Sequence, residues 1–157
     1  MTREDLRQIT MLGYLTDEML DELIPNTDSL VFEEKEIIFR QGQEAQRFYM
    51  LYQGKVLLEQ RISDKITVSV GTIKPGFSFG WTAMLDGERY TTDAICTEPC
   101  KVYSLRSKKL NALFENNHSL GFIMSQRLLR ILKKRYDNRT EQFIKTIKHH
   151  PDISSLL

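Results

Sequence analysis

Few side chains in this 157-residue sequence could do chemistry, and where they fall limits what each can do. The three histidines, His118, His149 and His150, all lie in a region of helical periodicity or in the tail that follows it. A metal-dependent enzyme built on a β-roll needs histidine and carboxylate ligands projecting together from neighbouring strands, and no histidine precedes residue 118. His149 and His150 read as solvated residues at a helix C-terminus, favoured there by the negative end of the dipole. The two cysteines, Cys96 and Cys100, are too few for an all-cysteine zinc site and read as reduced core thiols. Asp86, Glu88 and Asp93 sit among turn residues and suit turn and surface roles. No spacing assembles a nucleophile, a base and an orienting group, so a cupin-type enzyme is the weakest reading. The chain reads as a non-catalytic binding module without a metal.

The elements that would position a binding site follow from the pattern of apolar residues. Leu6, Ile9 and Leu12 recur at helical spacing, and Thr16-Asp17-Glu18 opens a second short helix that runs to Pro25. From Leu30 to Leu105 the texture changes to short alternating segments: Ile37 to Arg40, Phe48 to Leu51, Val56 to Glu59, Ile66 to Ile73, Tyr90 to Ile95 and Val102 to Leu105. Gly42, Gly54, Gly71, Gly76, Gly80 and Gly87 punctuate them as turn positions. After Leu105, Ser107 is expected to cap a helix holding Leu110, Leu113 and Phe114, and Ser119 to precede a long helix from about Leu120 to Lys148. The expected fold is mainly β with flanking helices, an antiparallel double-stranded β-helix or jelly roll in one domain. Residues 1–29 supply N-terminal helices, 30–106 the β-roll with a site-like segment at 76–93, and 107–157 the C-terminal helices and tail.

A formal charge of +1 does not favour nucleic acid as a partner, and the basic residues Arg130, Lys133, Lys134 and Arg135 read as a solvated face. No apolar run approaches the ~20 residues of a membrane helix, and the charged start from Thr2 to Arg7 has no signal-peptide core behind it. A cytoplasmic protein with no membrane partner is expected. Along the long helix Phe122, Leu129, Tyr136 and Phe143 recur every seven residues, while Ser125, Leu132, Arg139 and Thr146 at the complementary positions are mostly polar. This half coiled coil either packs on its own β-roll or pairs two copies as a homodimer, with Leu132 joining the seam.

The segment Phe32–Gly54, FEEKEIIFRQGQEAQRFYMLYQG, resembles the strand, glycine turn, F-Y strand and closing glycine of cyclic-nucleotide-binding domains, as in catabolite-activator-type regulators, kinase regulatory subunits and gated channels. Phe39, Gly42, Phe48, Tyr49 and Gly54 carry the match, and Lys35 replaces a usual glycine, so a differently made turn is expected there. PGFSFGWTA looks like the start of the family's phosphate-binding cassette, and CKVYSLRSKKLNALFE like the strand and helix before its C-terminal helix. The resemblance implies that backbone N–H groups after Gly80 hold a cyclic phosphate. It also implies a ribose-binding glutamate and a phosphate-binding arginine, and at those positions stand Trp81 and Tyr90.

Arg89, one residue early, reaches the pocket only if the turn after Gly87 is altered, since a one-residue slip in a strand reverses facing. The implied ligand-binding set is Phe79, Gly80, Trp81, Thr82, Arg89, Tyr90, Thr91 and Thr92, with Arg135 and Tyr136 as arm contacts. The ligand is a cyclic nucleotide or another small molecule. Three readings stay open: a cyclic AMP or cyclic GMP sensor with an altered cassette, a sensor for a different molecule, and a docking module whose pocket is vestigial. The DNA-reading unit of the bacterial regulators is not expected within this chain.

Overall fold

The computed structural model describes residues 1–150; residues 151–157, the end of the expected tail, lie outside them. The first helix, α1 (Arg3–Arg7), opens with a capping box in which the Thr2 hydroxyl accepts from the Asp5 N–H and the Asp5 carboxylate accepts from the Thr2 N–H. It stops earlier than the spacing of Leu6, Ile9 and Leu12 predicts. Beyond it Ile9, Leu12 and Leu15 each donate to a carbonyl three residues back, so consecutive tight turns bury the same apolar residues a helix would. The second helix, α2 (Asp17–Leu23), is capped by Thr16 and runs into a 3-10 turn at Ile24–Asn26, where Pro25 ends α-helical bonding. Arg3 and Arg7 both reach Asp17, and Arg3 also bonds Asp21, tying the two helices together.

Eight strands follow: β1 (Thr27–Phe32), β2 (Ile37–Phe39), β3 (Arg47–Gln53), β4 (Val56–Ser63), β5 (Ile66–Ile73), β6 (Ser78–Phe79), β7 (Asp93–Cys96) and β8 (Cys100–Arg106). All pairings are antiparallel, in two four-stranded sheets ordered β1-β8-β3-β6 and β2-β7-β4-β5. β3 and β8 carry the longest buried runs and form the floor of the core. Cys96 and Cys100 are free and buried where β7 and β8 meet, and burial pushes the Cys96 thiol up to about 12.

Several local expectations are corrected. Lys35 has φ 71°, so this turn passes through the left-handed region on a residue that carries a side chain, a strained conformation. Gly71 has no positive φ and faces open space. The segment expected to be a strand from Tyr90 becomes one only at Asp93, because Tyr90 exchanges backbone hydrogen bonds with the Gly42–Gln43 turn instead of a strand.

The helix α3 (Ser107–Asn116) begins at Ser107 itself, with Arg106 as a cap residue that makes no side-chain bond. The long helix α4 (His118–Lys148) is capped by Asn117, whose side-chain oxygen accepts from the Leu120 N–H, and not by Ser119. The Asn117 amide also donates to Glu22, fixing the start of α4 to α2.

Leu120, Gly121 and Met124 are the buried residues of α4; a Cβ on Gly121 would lie 3.0 Å from that of Phe114, which measures how closely α3 and α4 pack. The Arg127 guanidinium lies over the Tyr14 ring. The heptad stripe points away from the roll: Phe122 is 66% exposed, Leu129 59%, Leu132 42%, Tyr136 72% and Phe143 65%. Inward packing of that stripe, one of the two sequence-based alternatives, does not occur. No helix of the described residues is long and apolar enough to cross a membrane, and no cluster of metal-ligating side chains forms among them.

Candidate functional site

Gly80 makes the turn that creates the site. With φ 69° it caps a 3-10 turn (Trp81–Met84), and a Cβ there would come within 2.9 Å of the Tyr49 ring and 3.2 Å of the Arg47 carbonyl. Under this turn four aromatic rings pack as one cluster. Phe39 stacks on Tyr90 at 3.8 Å between centroids, Tyr49 on Phe79 at 5.3 Å, and Phe39 lies 6.0 Å from Phe79. The Tyr90 hydroxyl donates to the Arg47 carbonyl at 2.6 Å and accepts from the Arg47 N–H at 3.1 Å. Burial is the first cause raising both phenols, and Tyr49 is raised further by its neighbour Tyr90, so both stay protonated at neutral pH. Tyr90 therefore fills the strand wall with a ring whose hydroxyl is already satisfied.

Above the cluster, the Trp81 indole N–H donates to the Ser78 hydroxyl at 2.9 Å, and the Arg135 guanidinium of α4 lies 4.2 Å over the indole ring. Burial and the neighbouring positive charge of Arg139 both lower the Arg135 pKa, in that order. Between the β-roll and α4 is a cleft of about 140 Å³ whose walls include Phe79, Trp81, Tyr90, Thr92, Arg135 and Arg139. A second cavity of about 200 Å³ continues along β5 and α4 toward Gln142, sharing Leu58, Val70, Arg135 and Arg139 with the first.

Of the residues singled out by sequence, Phe79, Gly80, Trp81, Thr82, Tyr90, Thr91, Thr92 and Arg135 converge on this cleft. Arg89 does not: it is exposed, pairs as a bridge with Glu44, and donates from Nη1 to the Gly42 carbonyl at 2.7 Å. Tyr136 faces outward on the heptad stripe. Phe39, Leu58, Val70 and Arg139 line the cleft without having been assigned to it. The spacing of Arg139, one helical turn past Arg135, is the sequence signal that could have found it. A larger cavity, about 310 Å³, lies beside the loop 85–88, holds none of the expected site residues, and mixes Glu44, Asp86 and Glu88 with Arg106 and Lys108.

The geometry has close counterparts. The cyclic GMP-binding protein C of Dictyostelium discoideum is 30% identical over 122 residues, which cover 73% of this chain and 5% of that protein. The chain thus spans only a small fraction of that relative. A cyclic nucleotide-binding domain from Methylobacillus flagellatus superposes with a TM-score of 0.80 at 18% identity, over 94% of this chain and 83% of the other. The catabolite activator protein of Thermus thermophilus superposes at 0.74 and 20% identity, over 88% and 63%. These two likenesses are ones of fold. The family model of the cyclic nucleotide-binding domain matches residues 29–117, more than half of the sequence, from β1 through Gly80 and Tyr90 to the end of α3. On that match this chain belongs to the cyclic nucleotide-binding domain family.

Proposed function

We propose that this chain is a non-catalytic regulatory module that senses a small ligand in the cleft between β-roll and α4, and that two copies pair through α4. The observation that carries the reading is the contact of Arg135 with Trp81, which joins the cassette turn to the arm at the cleft itself. A ligand entering beside Trp81 must displace or engage Arg135, so occupancy biases the position of α4. The exposed stripe Phe122, Leu129, Leu132, Tyr136 and Phe143 gives the arm an apolar face that a second copy would cover. Two free, buried thiols suit a reducing compartment, and we place the module in the cytoplasm.

The ligand need not be a cyclic nucleotide. The ordinary phosphate clamp is missing from the strand wall: Tyr90 occupies the arginine position with its hydroxyl committed to Arg47, and Arg89 is held outside by Gly42. Calorimetric titration with cyclic AMP and cyclic GMP, followed in parallel by Trp81 fluorescence, tests this directly, since Trp81 is the only tryptophan. The expected result is no tight binding of either. Micromolar binding abolished by Arg89→Ala would overturn it and restore the usual clamp. Light scattering tests the pairing: a dimer that becomes a monomer in Leu129→Asp supports it, and a wild-type monomer at high concentration removes it.

A further inference from the structure

We infer that the cleft takes a planar aromatic anion whose negative charge is held by Arg135 and Arg139 of α4, with the aromatic part against the Trp81 turn. This rests on the sensing role proposed above and specifies its ligand. Arg135 and Arg139 stand one turn apart on the same helix face and reach both cavities of the cleft. Like charges at that spacing repel weakly, and a carboxylate between them would offset the repulsion. None lines either cavity, and neither arginine has an ion pair among the described residues. On the same helix Lys133 does find its partner, Asp137 at 2.6 Å. Arg135 is also partly withdrawn from water under its contact with Trp81, which makes its unpaired charge more costly.

Other nearby cations are committed elsewhere. Arg47 bonds Asp28 at 2.8 Å and Ser104 at 3.0 Å, and Arg89 bonds the Gly42 carbonyl. Positive charge in the cleft therefore comes from the helix wall. The other side offers the half-buried Trp81 indole and the hydroxyls of Thr82, Thr91 and Thr92, with no acceptor charge to repel an anion. A guanidinium pair over an aromatic turn matches a ring carrying a phosphate or carboxylate. The family's usual arrangement, with the charge met on the cassette strand, is thereby reversed across the cleft.

Calorimetric titration of the intact chain with 2-naphthyl phosphate, 2-naphthoate, 2-naphthol and inorganic phosphate tests the assignment. At least one naphthyl anion is expected to bind about tenfold or more tightly than 2-naphthol and than inorganic phosphate, and more weakly as salt is raised. Binding by the phosphate ester alone identifies a phosphorylated ligand, and binding by both anions extends the class to carboxylates. Arg139→Gln, at an exposed position, should weaken the anion by about fivefold or more while leaving the fold intact, and Arg89→Gln should change nothing. Equal binding of 2-naphthol, or anion binding indifferent to Arg139→Gln and Arg135→Gln, overturns the charge assignment and leaves the sensing role standing. Equal binding of inorganic phosphate overturns the aromatic half. Silence from all four probes overturns this inference and leaves the sensing role standing for a ligand of another class.

Discussion

The two walls of the cleft differ in how their polar groups are satisfied. On the β-roll side the polar groups of the two aromatic residues that line the cleft have internal partners, Tyr90 bonded twice to the Arg47 backbone and Trp81 to Ser78, and the wall carries no charge, only the hydroxyls of Thr82, Thr91 and Thr92. On the helix side Arg135 and Arg139 face the same space with no carboxylate beside them. A wall that satisfies itself behaves as core, whereas one that leaves charge unpaired has free energy to gain from a ligand. The difference also assigns mechanical roles. The roll wall is fixed by its own hydrogen bonds, while the charge sits on the element that projects from the body with its apolar stripe uncovered, so whatever neutralises it acts directly on the arm.

The largest effect should come from disturbing the self-satisfied wall at its narrowest point. Gly80→Ala forces a side chain into a left-handed conformation and places its Cβ 2.9 Å from the Tyr49 ring. Backbone strain and overpacking together should cost about 3 kcal/mol, read as a fall in the urea midpoint with unchanged slope. If Gly80→Ala folds as well as wild type, the roll wall is adaptable and its contrast with the helix wall disappears.

A smaller loss is expected from Tyr90→Phe, which keeps the stack on Phe39 but leaves the Arg47 N–H and carbonyl without their partner. The cost should be about 2 kcal/mol, with little change in affinity for a naphthyl anion, because that hydroxyl points into the wall. A mutant of full stability that has lost ligand binding would place the hydroxyl in the binding machinery and break the comparison. The sign of the pH dependence adds a check. Tyr90 binds its proton more tightly folded than unfolded, so its contribution is complete below the ordinary phenol value of about 10 and is lost as pH rises beyond it. Tyr90→Phe should therefore flatten the alkaline loss of stability.

These expectations also show which parts of the molecule could be read in advance. The strand texture was legible from short apolar or alternating segments between turn residues, and Ile66–Ile73 has the bounds expected of it, although the segment is largely exposed while β3 and β8 are buried on both faces. Turn glycines were legible at Gly42, Gly54, Gly76, Gly80 and Gly87, all of which have positive φ. Lys35 was misleading in the opposite sense, since residue type argued against a backbone shape that the surrounding hydrogen bonds, including Lys35 N–H to the Cys96 carbonyl, impose. The cassette half of the site could be placed because it is one continuous segment. The helix half was only partly legible: Arg139 meets Leu58 and Val70 across a gap formed by packing, and no local period encodes that distance in sequence. Arg89 lies away from the cleft, as the one-residue slip implied, but the way it is held was not legible, because the loop after Gly87 pairs with residues 42–44 in place of a strand neighbour.

The smallest predicted change is the one that separates the walls most sharply, because it reverses sign. Removing a satisfied group from the roll wall costs stability. Removing Arg139 from the helix wall should instead raise it by about 0.3 kcal/mol, since Arg139→Gln relieves an i,i+4 repulsion with Arg135 and breaks no ion pair. Such a gain lies near the resolution of a single denaturation curve and is best read as the salt dependence of stability. The repulsion in wild type is screened as ionic strength rises, so wild type and Arg139→Gln should converge in high salt. In the presence of saturating 2-naphthyl phosphate the order should invert, because an affinity about fivefold weaker leaves the mutant about 1 kcal/mol less ligand stabilisation than wild type, more than the repulsion it is spared. A mutant less stable than wild type without ligand would mean that Arg139 already has a stabilising partner, and the helix wall would then be as self-contained as the wall opposite.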